Sequence, residues 1–205
     1  MSLELRWFFE GPLPDKVEEW LHKKEFEKET LRTDTYLLFP SSELGVKIRE
    51  GKLEIKYLVT AEEFHSEDSR ISGRTEMWRK SSLPLKDPST NHLQVIKGPQ
   101  ITVEKERYRR LYGINPSTKI VIPSNKKVAQ GIIVEVTKLT IDGIQWWTIA
   151  LDALGENQKE CLQLGVKSVL NDYQGPKPKK EKSYSYPKWL SIIHDEKRVR
   201  DLESL

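Results

Sequence analysis

Alternation between apolar and charged positions is the clearest signal in this chain, and it is densest from Leu44 to Leu58, LGVKIREGKLEIKYL. At a period of two, Lys47 and Arg49 share one face of a first strand, and Glu54 and Lys56 share one face of a second. Val46, Ile48, Leu53 and Ile55 take the opposite faces, and Glu50-Gly51 supplies the turn. An ordinary half-buried strand carries mixed polar groups on its outer face with no rule of sign. Here cations and carboxylates alternate, and that face is where function is expected.

The same period runs from Leu3 to Phe9, with Glu4 and Arg6 on one face and Leu3, Leu5 and Trp7 on the other. It gives way to helical spacing in LPDKVEEWLHKKE, where Leu13, Val17, Trp20 and Leu21 form one apolar stripe. TLRTDTYLLF predicts a third strand, closed by Pro40-Ser41-Ser42. After Val59 the period is lost, although Arg74, Glu76 and Trp78 open a further strand in GRTEMWRKSSL, and SLPLKDPSTNHL reads as a loop. QITVEKERYRRLYG puts Val103, Lys105, Arg107 and Arg109 on one face. A hairpin follows: a strand through Glu135, an Asp142-Gly143 turn, and a returning strand through Asp152. Its adjacent Trp146 and Trp147 point to opposite faces, so one of them is core. ENQKECLQLGVKSVLNDY has Cys161, Leu162, Val166, Val169 and Leu170 at helical intervals.

This pattern predicts an α+β chain of about eight strands and two longer helices in hairpin order, hence an antiparallel sheet. A sheet with so many inward charges does not make a solid core on that face; one arrangement open to it is closure into a barrel with a wet interior and flanking helices. Residues 1–174 are read as the tunnel domain and 175–183, with the run GPKPKKEKS, as an exposed linker. In 184–205, YSYPKWLSII is too apolar for a free tail and is expected to dock on the domain, with Trp189 as its anchor.

Composition narrows the partners. The formal net charge is only +3 with 32% charged residues, so a nucleic-acid partner is not expected and any basic patch is local. A single cysteine, Cys161, excludes an internal disulfide and a Cys-based zinc site. With neither an apolar span nor a signal-peptide pattern at the start, the expectation is a cytoplasmic protein without a membrane. There is no Gly-rich phosphate loop, no Gly-x-Ser-x-Gly elbow, and no His pair at metal-binding spacing; His22, His65, His92 and His194 are scattered and read as surface residues. What remains is the set of strand faces. Cations on several strands of one sheet surround a polyanion from many sides, guanidinium groups match phosphate oxygens in a bidentate way, and carboxylates among them suit a hard cation such as Mg²⁺. The plainer reading is a solvated face of cross-strand ion pairs, each worth about 0.2–1 kcal/mol.

Taken in order, these segments resemble the CYTH superfamily, the triphosphate tunnel metalloenzymes, which includes class IV adenylyl cyclases, thiamine triphosphatases and inorganic triphosphatases. The resemblance rests on Leu3-Glu4-Leu5-Arg6, Asp34-Thr35-Tyr36-Leu37, the Gly45 to Arg49 and Leu53 to Lys56 hairpin, Val103-x-Lys105-x-Arg107, and the late strands with Glu135 and Asp152. It implies an eight-stranded antiparallel tunnel in which Arg6, Lys47, Arg49, Lys56, Lys105 and Arg107 bind phosphate, with Arg109 next in line on the same face. Glu4, Glu54, Glu135 and Asp152 are the implied ligands of Mg²⁺ or Mn²⁺, and the implied chemistry is metal-dependent hydrolysis of a small-molecule triphosphate or polyphosphate. The sequence departs from the family's Glu-x-Glu-x-Lys signature at Ser2 and Arg6, and carries Asp152 where the family usually has Glu. Loss of a carboxylate at Ser2 leaves a non-catalytic polyanion-binding module of the same fold as the alternative. A scaffold whose tunnel is filled by its own salt bridges is a third reading.

Overall fold

Two tight turns set the hairpins that the alternation predicts. Glu50 and Gly51 hold φ of 50° and 70°, and Asp142 and Gly143 hold 49° and 78°, the left-handed pair that a two-residue hairpin needs. They join β4 (Leu44–Arg49) to β5 (Lys52–His65) and β9 (Gly131–Ile141) to β10 (Ile144–Leu154). The remaining strands are β1 (Ser2–Glu10), β2 (Glu27–Lys28), β3 (Arg32–Leu37), β6 (Ser72–Pro84), β7 (Gln100–Ile114) and β8 (Val121–Ser124). The helices are α1 (Asp15–Lys23), α2 (Gln158–Val169) and α3 (Tyr186–Glu203). This is a computed structural model that describes residues 2–68, 70–85 and 98–203, with side chains described as far as residue 195.

Eight strands close into an antiparallel barrel in the order β7-β3-β4-β5-β6-β1-β10-β9, and β9 pairs back onto β7. The short strands β2 and β8 extend the margins of β7. Three elements differ from the sequence reading. β5 continues to His65 through the stretch without a period, because its pairing with β6 slips between Leu58 and Thr60; a bulge moves every later side chain to the other face and breaks the alternation. The loop predicted from Ser82 begins later, since β6 runs to Pro84, and most of that loop, with His92, lies outside the described residues. The C-terminal segment forms a third helix, α3.

The main hydrophobic core lies outside the barrel wall. Leu3, Leu5, Trp7, Val134, Val136, Ile149 and Leu151 point outward from β1, β9 and β10 and meet Val17, Trp20 and Leu21 of α1 and Cys161, Leu162, Val166 and Val169 of α2. Trp147 joins this outer core, stacked on Phe9 with centroids 4.4 Å apart. A second apolar cluster sits inside one end of the barrel, where Phe8, Tyr36, Val103, Leu139 and Ile141 receive Trp189, Leu190 and Ile193 of α3. The rest of the interior is left to charge.

Candidate functional site: a charged tunnel

Pairing register puts the inward positions side by side. Glu4 of β1 lies between Glu76 of β6 and Asp152 of β10. Lys47 lies opposite Glu54, and Lys56 opposite Lys80. With the wall closed, these side chains line a cavity of about 350 Å³. Among the described residues its cations come from six strands: Arg6, Arg32, Lys47 with Arg49, Lys56, Lys80, and Lys105 with Arg107. Six of the seven cations expected from the sequence are thereby brought together. The seventh, Arg109, does not line the cavity; its guanidinium reaches Glu29 at 3.0 Å, beside β2.

Most of the cations are held by carboxylates of the chain itself. Asp34, fully buried, accepts from Lys47 at 2.8 Å and Lys105 at 3.1 Å. Glu54 takes Lys47 at 3.3 Å, Arg49 at 2.8 Å and Lys80 at 2.6 Å. Glu135 joins Arg6 at 3.2 Å to Arg107 at 3.1 Å. Glu4 is 2.5 Å from Arg6 Nε and 3.7 Å from Lys56. Two cations are less well satisfied. Among the described residues, Arg32 is 3.6 Å from Asp34 and its buried Nε has no hydrogen-bond partner, and the ion pair of Lys56, 42% exposed, is its long contact to Glu4.

These pairings shape the ionisation of the tunnel. Burial opposes the charge on Asp34, yet Lys105 and Lys47 hold its carboxyl well below the usual range. Glu135 is likewise desolvated and still drawn down to about 2 by Arg6 and Arg107. Burial pushes the Lys105 ammonium well below its ordinary value against the pull of Asp34, and Lys47 adds to that push. The Glu4 wall behaves in the opposite way. Burial, then the charge of Glu4, raises both Glu76 and Asp152 to about 7, as crowded carboxylates without enough counter-charge must do.

That crowding has a measurable consequence. Between the unfolded carboxyl pKa near about 4 and the folded value of about 7, the folded chain holds a proton on Asp152 that the unfolded chain has released. Stability therefore falls as pH rises through this window and levels off above it. Asp152→Asn removes that fall, so urea denaturation is expected to show the variant gaining on the parent between pH 5 and pH 8. An unchanged difference at the two pH values would mean that Asp152 is ionised throughout.

The four implied metal ligands are not one cluster. Glu4 and Asp152 are cross-strand neighbours, Glu135 is committed to two arginines, and Glu54 is held in a cation-rich corner by three cations. Among the described residues no three His, Cys, Asp or Glu side chains surround a common point in the way a metal ion requires. Glu76, absent from the sequence expectation as a ligand, is a second carboxylate next to Glu4, on the side opposite Asp152.

No family model matches this sequence, and no curated protein matches it significantly. Solved structures do. The PH1819 protein from Pyrococcus horikoshii is 14% identical, with 96% of this chain and 99% of that chain covered and a TM-score of 0.50. A conserved hypothetical protein from Pyrococcus furiosus is 12% identical over 92% of this chain and 99% of that one, with a TM-score of 0.49. The mimivirus capping enzyme triphosphatase is 12% identical over 83% and 90%, with a TM-score of 0.41. Likeness at these identities bears on fold alone. The closed eight-stranded barrel, its charges turned inward, is the architecture that the resemblance in the sequence implied.

The sequence reading missed Arg32, Lys80 and Glu76 as lining residues and Asp34 as the central counter-ion. Arg32, Asp34 and Tyr36 do alternate along β3, so that signal was present. Lys80 and Glu76 alternate likewise on β6; the bulge in β5 hides Ala61, the partner of Glu76, whereas Lys80 faces Lys56 ahead of the bulge. Tyr186, from α3, also lines the cavity. Nothing in its local sequence marks it.

Proposed function

We propose that this chain binds a short polyphosphate, or the triphosphate group of an organic compound, inside the barrel. The observation that carries the reading is the convergence of Lys and Arg from six strands on one cavity, with Arg32 Nε buried and without a hydrogen-bond partner among the described residues. A buried donor left without an acceptor costs roughly 1–3 kcal/mol, and a phosphate oxygen is the acceptor that a guanidinium fits best. Burial and the charge of Glu4 push the Glu76 and Asp152 carboxyls up to about 7, which reduces the negative charge that faces a bound anion. Binding is tested by calorimetry with tripolyphosphate, which is expected to bind and to weaken as salt is raised. Absence of any binding heat or thermal shift at millimolar ligand would remove this reading and leave the self-paired scaffold.

Hydrolysis is the second reading, and the neighbouring carboxylates Glu4, Glu76 and Asp152 favour it, since their shared desolvation suits a divalent cation. Mg²⁺ or Mn²⁺ there would neutralise phosphate oxygens and polarise the phosphorus. The side chains as arranged do not close around one ion, so no catalytic step is assigned. Phosphate release from tripolyphosphate, thiamine triphosphate or nucleoside triphosphates with either metal separates an enzyme from a binding module. Tight binding without release would favour the module.

A further inference from the structure

Each of the three guanidinium nitrogens of Arg107 donates to a carboxylate. Nε, at 2.7 Å, and Nη2 share Oε2 of Glu29, and Nη1 reaches Oε2 of Glu135 at 3.1 Å. A guanidinium receives a phosphate through paired hydrogen bonds from one edge of its fork, and here both of those edges meet a carboxylate. For Arg107 to take phosphate oxygens, one of the two has to give way.

They are not held alike. Glu135 is 8% exposed, belongs to the middle of β9, and also accepts from Arg6 at 3.2 Å and from the Thr137 hydroxyl at 3.1 Å. Glu29 is 33% exposed and lies in the connection 29–31, with Leu31 largely in solvent. That connection is a bulge along β7. Lys28 pairs with Tyr108 and Arg32 with Lys105, so the chain takes four steps where β7 takes three. An extra residue of this kind re-aims a side chain, and the one it turns onto Arg107 is Glu29. Its amide donates to the carbonyl of Arg107 at 2.8 Å, and its Oε1 accepts from Arg109 Nη1 at 3.0 Å. Arg109 is only partly satisfied by this contact, because its buried Nε has no hydrogen-bond partner among the described residues. Burial opposes the charge on Glu29, yet the hydrogen bonds from Arg109 and Arg107 keep its carboxyl below the usual range. It therefore stands beside Arg107 as an anion.

We infer that Glu29 is an internal competitor for the ligand of the tunnel, and that binding at Arg107 is an exchange in which an incoming phosphate takes the guanidinium from Glu29 while Glu135 stays. This rests on the proposed phosphate binding and names the regulation of that site. How tightly phosphate is held depends on how firmly residues 29–31 keep Glu29 on Arg107. Exchange also releases Arg109 from its only carboxylate contact among the described residues.

Calorimetry of the full chain with tripolyphosphate tests the exchange. Glu29→Gln keeps the length of the side chain, loses its charge, and is expected to bind about tenfold more tightly than the parent. In an Arg107→Ala background the same substitution is expected to change binding by less than about twofold, since the contact that couples the two residues is already gone. Glu19→Gln measures the effect of net charge alone. It removes an exposed carboxylate of α1, on the outer wall, and is expected to stay within about twofold of the parent. A gain from Glu29→Gln that persists without Arg107, or that Glu19→Gln reproduces, overturns the exchange and leaves phosphate binding in place. So does an affinity of Glu29→Gln no higher than that of the parent. Absence of binding in both the parent and Glu29→Gln removes the two proposals together. Should Glu29→Gln not fold, Glu29→Asp, whose carboxylate is drawn back by one methylene, is expected to gain in the same direction, and no gain there overturns the exchange.

Discussion

Asp34→Ala is expected to lower the unfolding free energy by about 3–5 kcal/mol, the range for breaking a buried ion pair by removing one partner. Asp34 has no solvent exposure, and its Oδ2 accepts from Lys47, Lys105 and the Tyr36 hydroxyl at 2.8, 3.1 and 3.3 Å. Without it, Lys105, only 2% exposed, has no carboxylate in contact among the described residues, whereas Lys47 keeps Glu54 at 3.3 Å. Lys105 has a partial escape: its pKa is already well below the ordinary value, so it sheds its proton and limits the loss. Asp34→Asn, which keeps the shape and an acceptor, is expected to lose less. Urea denaturation at pH 7 measures both variants. The Asp34 carboxyl is depressed in the folded state, so its contribution is present above the unfolded pKa and is lost as pH falls through the folded value. The gap between parent and Asp34→Ala should therefore narrow in acid. A loss below about 1 kcal/mol at pH 7 would mean that other groups carry the tunnel's counter-charge. The same substitution is expected to tighten tripolyphosphate binding, because it removes the internal competitor for two cations.

Arg107→Ala is expected to act in the opposite direction on binding, weakening tripolyphosphate by about 10–100-fold, the equivalent of one or two charge-assisted hydrogen bonds. Arg107 lies between Glu135 at 3.1 Å and Glu29, whose Oε2 accepts from Nε at 2.7 Å, and it lines the cavity. Arg110 is the control. It belongs to the same strand and bears the same charge, but it pairs with Glu25 at 3.3 Å and Asn125 at 3.1 Å away from the cavity. Arg110→Ala is expected to stay within about twofold of the parent at moderate salt, where charges more than a Debye length from the ligand are screened. Calorimetry on both variants at one salt concentration decides between a tunnel site and a diffuse basic surface, for only the latter would make the two losses alike.

The two substitutions differ in how legible their residues are from the chain alone. Arg107 stands in a clean alternation with Lys105 and Arg109, and its inward direction follows from strand geometry. Asp34 shares the same kind of pattern with Arg32 and Tyr36, yet a lone carboxylate among Thr residues carries no sign that three cations will surround it. Arg109 marks the limit of face arguments. It has the parity of Arg107, but at its level β2 pairs with β7, and Glu29, just past β2, draws the guanidinium away from the cavity. The bulge between Leu58 and Thr60 hides half of β5 for a similar reason, since one inserted residue reverses the period.

The sequence by itself determined the strands with charge on one face, the two left-handed hairpin turns at Glu50-Gly51 and Asp142-Gly143, and the helices that cover the outer wall. Each depends on neighbours within a few residues, where backbone period and turn geometry are decided. Tertiary structure alone decided which carboxylate neutralises which cation, that Glu76 rather than Glu54 stands beside Glu4, and that Tyr186 joins the lining of the cavity. Those outcomes depend on barrel closure, which fixes the register of strands far apart in the chain and brings a helix from the C-terminal end against Arg6 of the first strand. Local pattern carries no information about partners chosen at that distance.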